Sequence, residues 1–171
     1  MPKLAWFEYL LGNAERSVQL LGQAAAHQNG ESKALSLYYR GAILNRVGRY
    51  EEARASLDRA LAVRDDLILA RQEKGESLWQ LGRHDEAISV WTDAVRRNAH
   101  LALVNNELAG AKRSLGKLEE ASAYEKQADQ FTPNNPFYHW MLGHRLQDLG
   151  MTELAEKHFQ LAKQLGAENE R

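Results

Sequence analysis

The sequence predicts an all-α protein of stacked helical hairpins, and three observations predict it. The first is a period. Gly48, Gly82, Gly116 and Gly150 recur every 34 residues, as do Ala53, Ala87, Ala121 and Ala155, and again Ala60, Ala94, Ala128 and Ala162. Three columns sharing one period over four copies mark a repeat array. The second is composition: Ala, Leu, Glu, Gln and Arg dominate while Val, Ile and Thr are scarce, which favours helix over sheet. The third is the shortage of breakers. Only three prolines occur in 171 residues, and two of them, Pro133 and Pro136, lie together.

Each copy reads as two helices. About 14 residues of amphipathic helix end at the glycine, which adopts a left-handed turn cheaply. Acidic pairs follow (Glu51-Glu52, Asp85-Glu86, Glu119-Glu120) and suit the positive end of a second helix. Small residues at Gly41, Gly75, Ala109 and Gly143 admit close approach of two backbones, and Leu57, Trp91 and Phe159 fill the space between them. A lone hairpin cannot bury its apolar stripe, so neighbours must stack. The frames in order are a degenerate copy at 1–33 with a short first helix, carried by Leu4-Ala5, Gly12, Ser17, Leu21 and Ala24, then 34–67, 68–101, 102–135 and 136–169. Together they make one domain, 1–171.

This pattern resembles the tetratricopeptide repeat. Repeat 34–67 carries the family columns at Gly41, Gly48, Tyr50, Ala53, Leu57 and Ala60, and 68–101 at Gly75, Gly82, Ala87, Trp91 and Ala94, with His84 at an aromatic column. Repeat 102–135 carries them at Ala109, Gly116, Ala121, Ala128 and Pro133, and 136–169 at Gly143, Gly150, Ala155, Phe159 and Ala162. Departures concentrate in 102–135, where Glu125 occupies an aromatic column and Lys112 an inward one, so this repeat is expected to be the loosest. The resemblance implies a right-handed α-solenoid of about five hairpins. The stretch Asn135–His139 is also similar to repeat tails attached to transglutaminase-like domains in some bacterial proteins.

In the resembled family, first helices line a concave groove that holds a peptide. Its columns here carry Tyr38, Tyr39 and Asn45, then Gln72, Glu73, Glu76 and Trp79, then Asn106, Glu107 and Arg113, and finally Phe137, Trp140, Met141 and His144. Aromatics supply contact area at low entropy cost, and amides can hydrogen-bond an extended backbone. Glu73, Glu76 and Glu107 make the expected partner a protein or peptide segment with Lys or Arg beside an apolar residue. The columns that grip a terminal carboxylate in chaperone-binding relatives read Tyr38, Ala42, Glu73, Leu103 and Glu107, which would repel one. The function expected is a non-enzymatic protein-interaction adaptor. The alternatives are a holdase for a secreted or pilus subunit and an accessory module of a catalytic protein.

Other chemistry lacks its residues. There is no cysteine, so thiol catalysis, disulfides and thiolate metal sites are excluded. Net charge is −1, from 22 basic and 23 acidic residues, without the basic stripe that nucleic acid requires. Gly110–Lys117 has the wrong spacing for a phosphate loop, with Leu118 where Ser or Thr is needed. His139 and His144 stand five apart, not at the i, i+4 spacing of a helical zinc pair. No cofactor and no metal are expected. Glu8 and Glu15-Arg16 interrupt any leader-like apolar stretch, no run reaches a membrane span, and cytoplasm is the expected location. Leu154, Leu161 and Leu165 form an i, i+7, i+11 stripe. It is either ordinary core or a surface for self-association.

Overall fold

The computed structural model describes residues 2–98 and 100–169, with the side chains of 2–3 and 167–169 left aside. Ten helices and no strand occur among the described residues. They are α1 (Pro2–Leu10), α2 (Ala14–His27), α3 (Gly30–Arg46), α4 (Tyr50–Val63), α5 (Ile68–Gln80), α6 (His84–Arg97), α7 (Ala102–Ser114), α8 (Leu118–Asp129), α9 (Pro136–Asp148) and α10 (Thr152–Asn169). Each predicted frame holds two of them. The one notable shift is α3, which begins at Gly30 rather than Ala34. The extra residues ahead of this frame are taken up as another helical turn, and Ser36 Oγ ties it back by donating to Gln28 Oε1 at 2.7 Å.

The turns inside the hairpins repeat one hydrogen-bond pattern. At the end of α3, Gly48 sits at φ +76°. The Arg49 N–H donates to Leu44 O at 2.9 Å and the Gly48 N–H to Asn45 O at 3.0 Å. This pair satisfies carbonyls that the helix end leaves open. The same backbone bond closes the turns at Arg83, Lys117 and Met151. Helix α9 starts differently: Pro136 stands at its first position and the Asn135 side chain accepts from the Tyr138 N–H at 3.1 Å, a capping arrangement.

The chain falls into two compact units, 1–90 and 91–171, with the boundary inside α6. In the first unit α2, α3, α4 and α5 pack in succession around Leu21, Leu37, Ile43, Leu44 and Leu57. Each such side chain contributes about 1.5–3 kcal/mol on burial. The α3–α4 pair is so close that a Cβ on Gly41 would stand 2.5 Å from Leu57 Cγ. In the second unit α7 pairs with α8, α9 with α10, and α7 touches α9, around Leu108, Leu142, Leu146 and Leu154. No helix among the described residues is long and apolar enough to cross a membrane.

Candidate functional site

In the first unit the predicted groove residues are drawn into the fold. Tyr38 and Tyr39 are half-buried, with ring centroids 5.0 Å apart. Asn45 is buried and its amide donates to Glu73 O at 2.9 Å and to Glu73 Oε2 at 3.0 Å, while Ser77 Oγ donates to Asn45 Oδ1 at 2.7 Å. Arg46 reaches over both acids, donating to Glu73 and to Glu76 at 3.3 Å. Glu73 and Glu76 are 6% and 7% exposed, and Gln72 and Trp79 are buried as well. Trp79 stacks on His84 at 4.1 Å. The acidic middle read from the sequence is therefore a buried, arginine-capped cluster, since carboxylates leaving water need a paired cation.

In the second unit the predicted residues separate into two kinds. On α7, Asn106 and Glu107 are buried, with Glu107 held by Arg145 Nε at 2.5 Å. Arg113 pairs with Glu125 and, at 2.8 Å, with Glu153. It edges an open cavity of about 170 Å³ between the ends of α7 and α10. On α9 the side chains turn outward. Phe137, Trp140 and Met141 are 65%, 51% and 46% exposed, and His144 is exposed beside them. They follow i, i+3, i+4 and i+7, the spacing of one helix face. Phe137 and Trp140 stack at 6.1 Å, and His144 meets the Trp140 ring edge-on at 4.4 Å.

One constellation escaped the sequence reading. His139 of α9 and His158 of α10 face each other, Nδ1 to Nδ1, at 2.9 Å, and His158 Nε2 lies 3.0 Å from Asn106 Oδ1. Both rings are buried. Burial pushes the His158 imidazole down to about 4, helped by the neighbouring His139 and Lys157, and burial lowers His139 too. The signal existed in the repeat frame. Ser56 Oγ bonds Leu37 O at 3.0 Å, and those two columns are the ones His158 and His139 occupy in the last repeat. No group of three or more metal-ligating side chains is gathered among the described residues.

The stripe on α10 divides. Leu154 is core at 2% exposure, whereas Leu161 and Leu165 are half-buried.

The tetratricopeptide repeat model matches residues 4–66 and 73–136. The chain belongs to the tetratricopeptide repeat family. Compared with the curated proteins, the sequence has no significant match. Among solved structures it is similar to MamA 41-end from Desulfovibrio magneticus RS-1, at 22% identity and TM-score 0.71, covering 99% of this chain and 94% of that one. A crystal structure of MamA matches at 15% identity and TM-score 0.71, covering 96% and 95%. These likenesses concern the fold. Tetratricopeptide repeats are in general protein-interaction scaffolds without catalytic groups of their own, and stacked repeats present extended surfaces for that purpose.

Proposed function

We propose that this repeat protein is a non-enzymatic adaptor that holds a segment of a protein partner on the first-helix faces of its repeats, working in the cytoplasm. The observation that carries the reading is the outward stripe of Phe137, Trp140, Met141 and His144 on α9. Aromatic and methionine side chains exposed together at helical spacing are unusual on a surface that meets only water. Arg, Trp and Tyr anchors dominate protein interfaces energetically. Tyr38 and Tyr39 offer a second, half-buried aromatic pair on α3. Of the remaining groove columns, Asn45, Gln72, Glu73, Glu76 and Trp79 in the first unit and Asn106 and Glu107 in the second are buried, and Arg113 is paired with Glu125 and Glu153, so none of them carries the reading. A basic residue of the partner would meet the acidic cluster only by competing with Arg46.

Affinity capture from lysate of the source organism tests the proposal, run beside Trp140→Ala/Met141→Ala with helicity checked. A discrete partner retained by the native chain and lost by the variant is the expected result. A partner held equally by both would remove the α9 stripe from the site. Charge reversal at Glu73 or Glu76 is a poor probe, because it strands Arg46 and damages the fold itself.

A further inference from the structure

The two buried histidines fix each other's protons. Asn106 Nδ2 donates to Ala102 O at 2.9 Å, so its Oδ1 is the atom facing His158 Nε2 at 3.0 Å. An amide oxygen only accepts, hence His158 carries its hydrogen on Nε2. Neutral His158 then has a bare Nδ1. The 2.9 Å approach of His139 Nδ1 requires the hydrogen of His139 on Nδ1. The result is a one-way chain of hydrogen bonds from α9 through α10 to α7. One added proton can be housed: His158 takes it on Nδ1 and His139 moves its own to Nε2. A second places two N–H groups head to head at 2.9 Å between like charges.

We infer that the His139–His158 contact is a proton-operated latch: with neutral rings it ties α9 to α10, the helix that Asn106 of α7 holds through His158, and double protonation breaks the α9–α10 tie and loosens that hairpin. The rings are 7% and 1% exposed, so water cannot screen the repulsion as it would at a surface. Charged and titratable groups face the pair from each side. Asp129 and Glu125 of α8 bear on His139 and His158 respectively and favour protonation; Lys157 of α10 opposes it at both. On α9, Tyr138 meets His139 edge-on at 6.1 Å. Facing from α7 is the neutral Asn106, whose neighbour Glu107 is occupied by Arg145. Burial outweighs the two carboxylates, and both rings stay neutral near pH 7. Opening would bare Leu142, Leu146 and Leu154. The latch stands on this geometry whether or not α9 binds a partner.

Two measurements on the full chain test it. A long-range proton–nitrogen spectrum of the imidazoles at pH 7.5 should show His158 as the Nε2–H and His139 as the Nδ1–H tautomer; both rings as Nε2–H would overturn the latch. Amide exchange, corrected for intrinsic rate, is then compared at pH 7 and 4.5. With His158 moved from 6.5 to about 4, that ring alone should raise opening of α9 and α10 on the order of fifty-fold, and His139, lowered as well, should add to the rise, while α3 and α4 hold. In His139→Phe, which keeps a ring but not the second proton, the rise should shrink several-fold. Unchanged protection at pH 4.5, equal loss in α3 and α4, or a full response in His139→Phe would each overturn the proposal.

Discussion

A single methyl group is decisive at Gly143. A Cβ there would stand 2.6 Å from the Phe159 ring, closer than packed carbons tolerate, so α9 and α10 would have to move apart. Overpacking of this kind costs about 1–3 kcal/mol. Gly143→Ala should lower the denaturation midpoint accordingly, and should cost far less in a Phe159→Ala background, where the colliding ring is gone. Equal cost in both backgrounds would mean that α9 tolerates the methyl and that the loss arises elsewhere. Asn135 works through a different term. Its side chain caps α9 by accepting from the Tyr138 N–H, and Asn135→Ala should cost about 1 kcal/mol. Asn135→Asp should recover most of that loss in urea denaturation, because the carboxylate accepts the same bond.

Between elements, α7, α8 and α10 are joined by charge where their neighbours are joined by apolar side chains. Glu125 stands in the column that holds Leu57, Trp91 and Phe159 in other repeats. It receives Arg113 of α7 and, at 3.0 Å, Lys157 of α10, while Arg113 also reaches Glu153. Burial alone would raise the Glu125 carboxyl, but the hydrogen bonds from Arg113 and Lys157 outweigh it and hold the group low. Glu125→Gln should cost roughly 1–3 kcal/mol, less whatever solvent screening removes at this partly open site. Removing the charges together, as Arg113→Met/Glu125→Leu, should cost less than the single change, since no buried charge is left alone. A double variant as unstable as the sum of its singles would refute that coupling. This column shows what the sequence could and could not disclose. Hairpin boundaries were legible because glycine at the left-handed turn and alanine at the close crossing are demanded by backbone geometry. The outward face of α9 was legible from the same frame. Glu125 was read as a gap in packing because a column says where a side chain points and not which distant cation meets it. Glu73 and Glu76 were read as open for the same reason: Arg46 lies about one repeat away in sequence, and only the fold lays it across them. His139 and His158 fell on facing columns, yet hairpin pairing had to be seen once, at Ser56 and Leu37, before that meeting could be inferred.

For the whole molecule, acid is the informative variable, because two sets of groups respond to it in separate windows. The first set is the buried histidine pair. Its folded-state affinity for protons lies below the ordinary value of 6.5, at about 4 for His158. The unfolded chain therefore binds protons first, and stability that is complete above pH 6.5 is lost as pH falls toward 4. One such ring accounts for up to about 3 kcal/mol, or roughly 5–10 °C in a chain of this size. The second set is the surface carboxylates Glu51, Glu52, Asp66, Glu86 and Glu120. Hydrogen bonds from Arg54, Arg49, Arg64, Arg83 and Lys112 respectively hold each below its ordinary value. Their contribution is present above about pH 4.5 and is lost as pH falls through their lowered range. Both losses run the same way, but salt distinguishes them. Exposed pairs are screened within about a Debye length, whereas the imidazoles meet where ions do not reach. Melting temperature followed from pH 8 to 3, at low salt and at about 0.5 M salt, where the Debye length is only ~4–5 Å, should fall in two stages. The descent between pH 6.5 and 4.5 should survive the salt and the steeper one below it should flatten. A descent that begins only below pH 4.5 and vanishes in salt would assign the acid response to the surface pairs alone, and would mean that the histidine pair accepts its protons without cost to the fold.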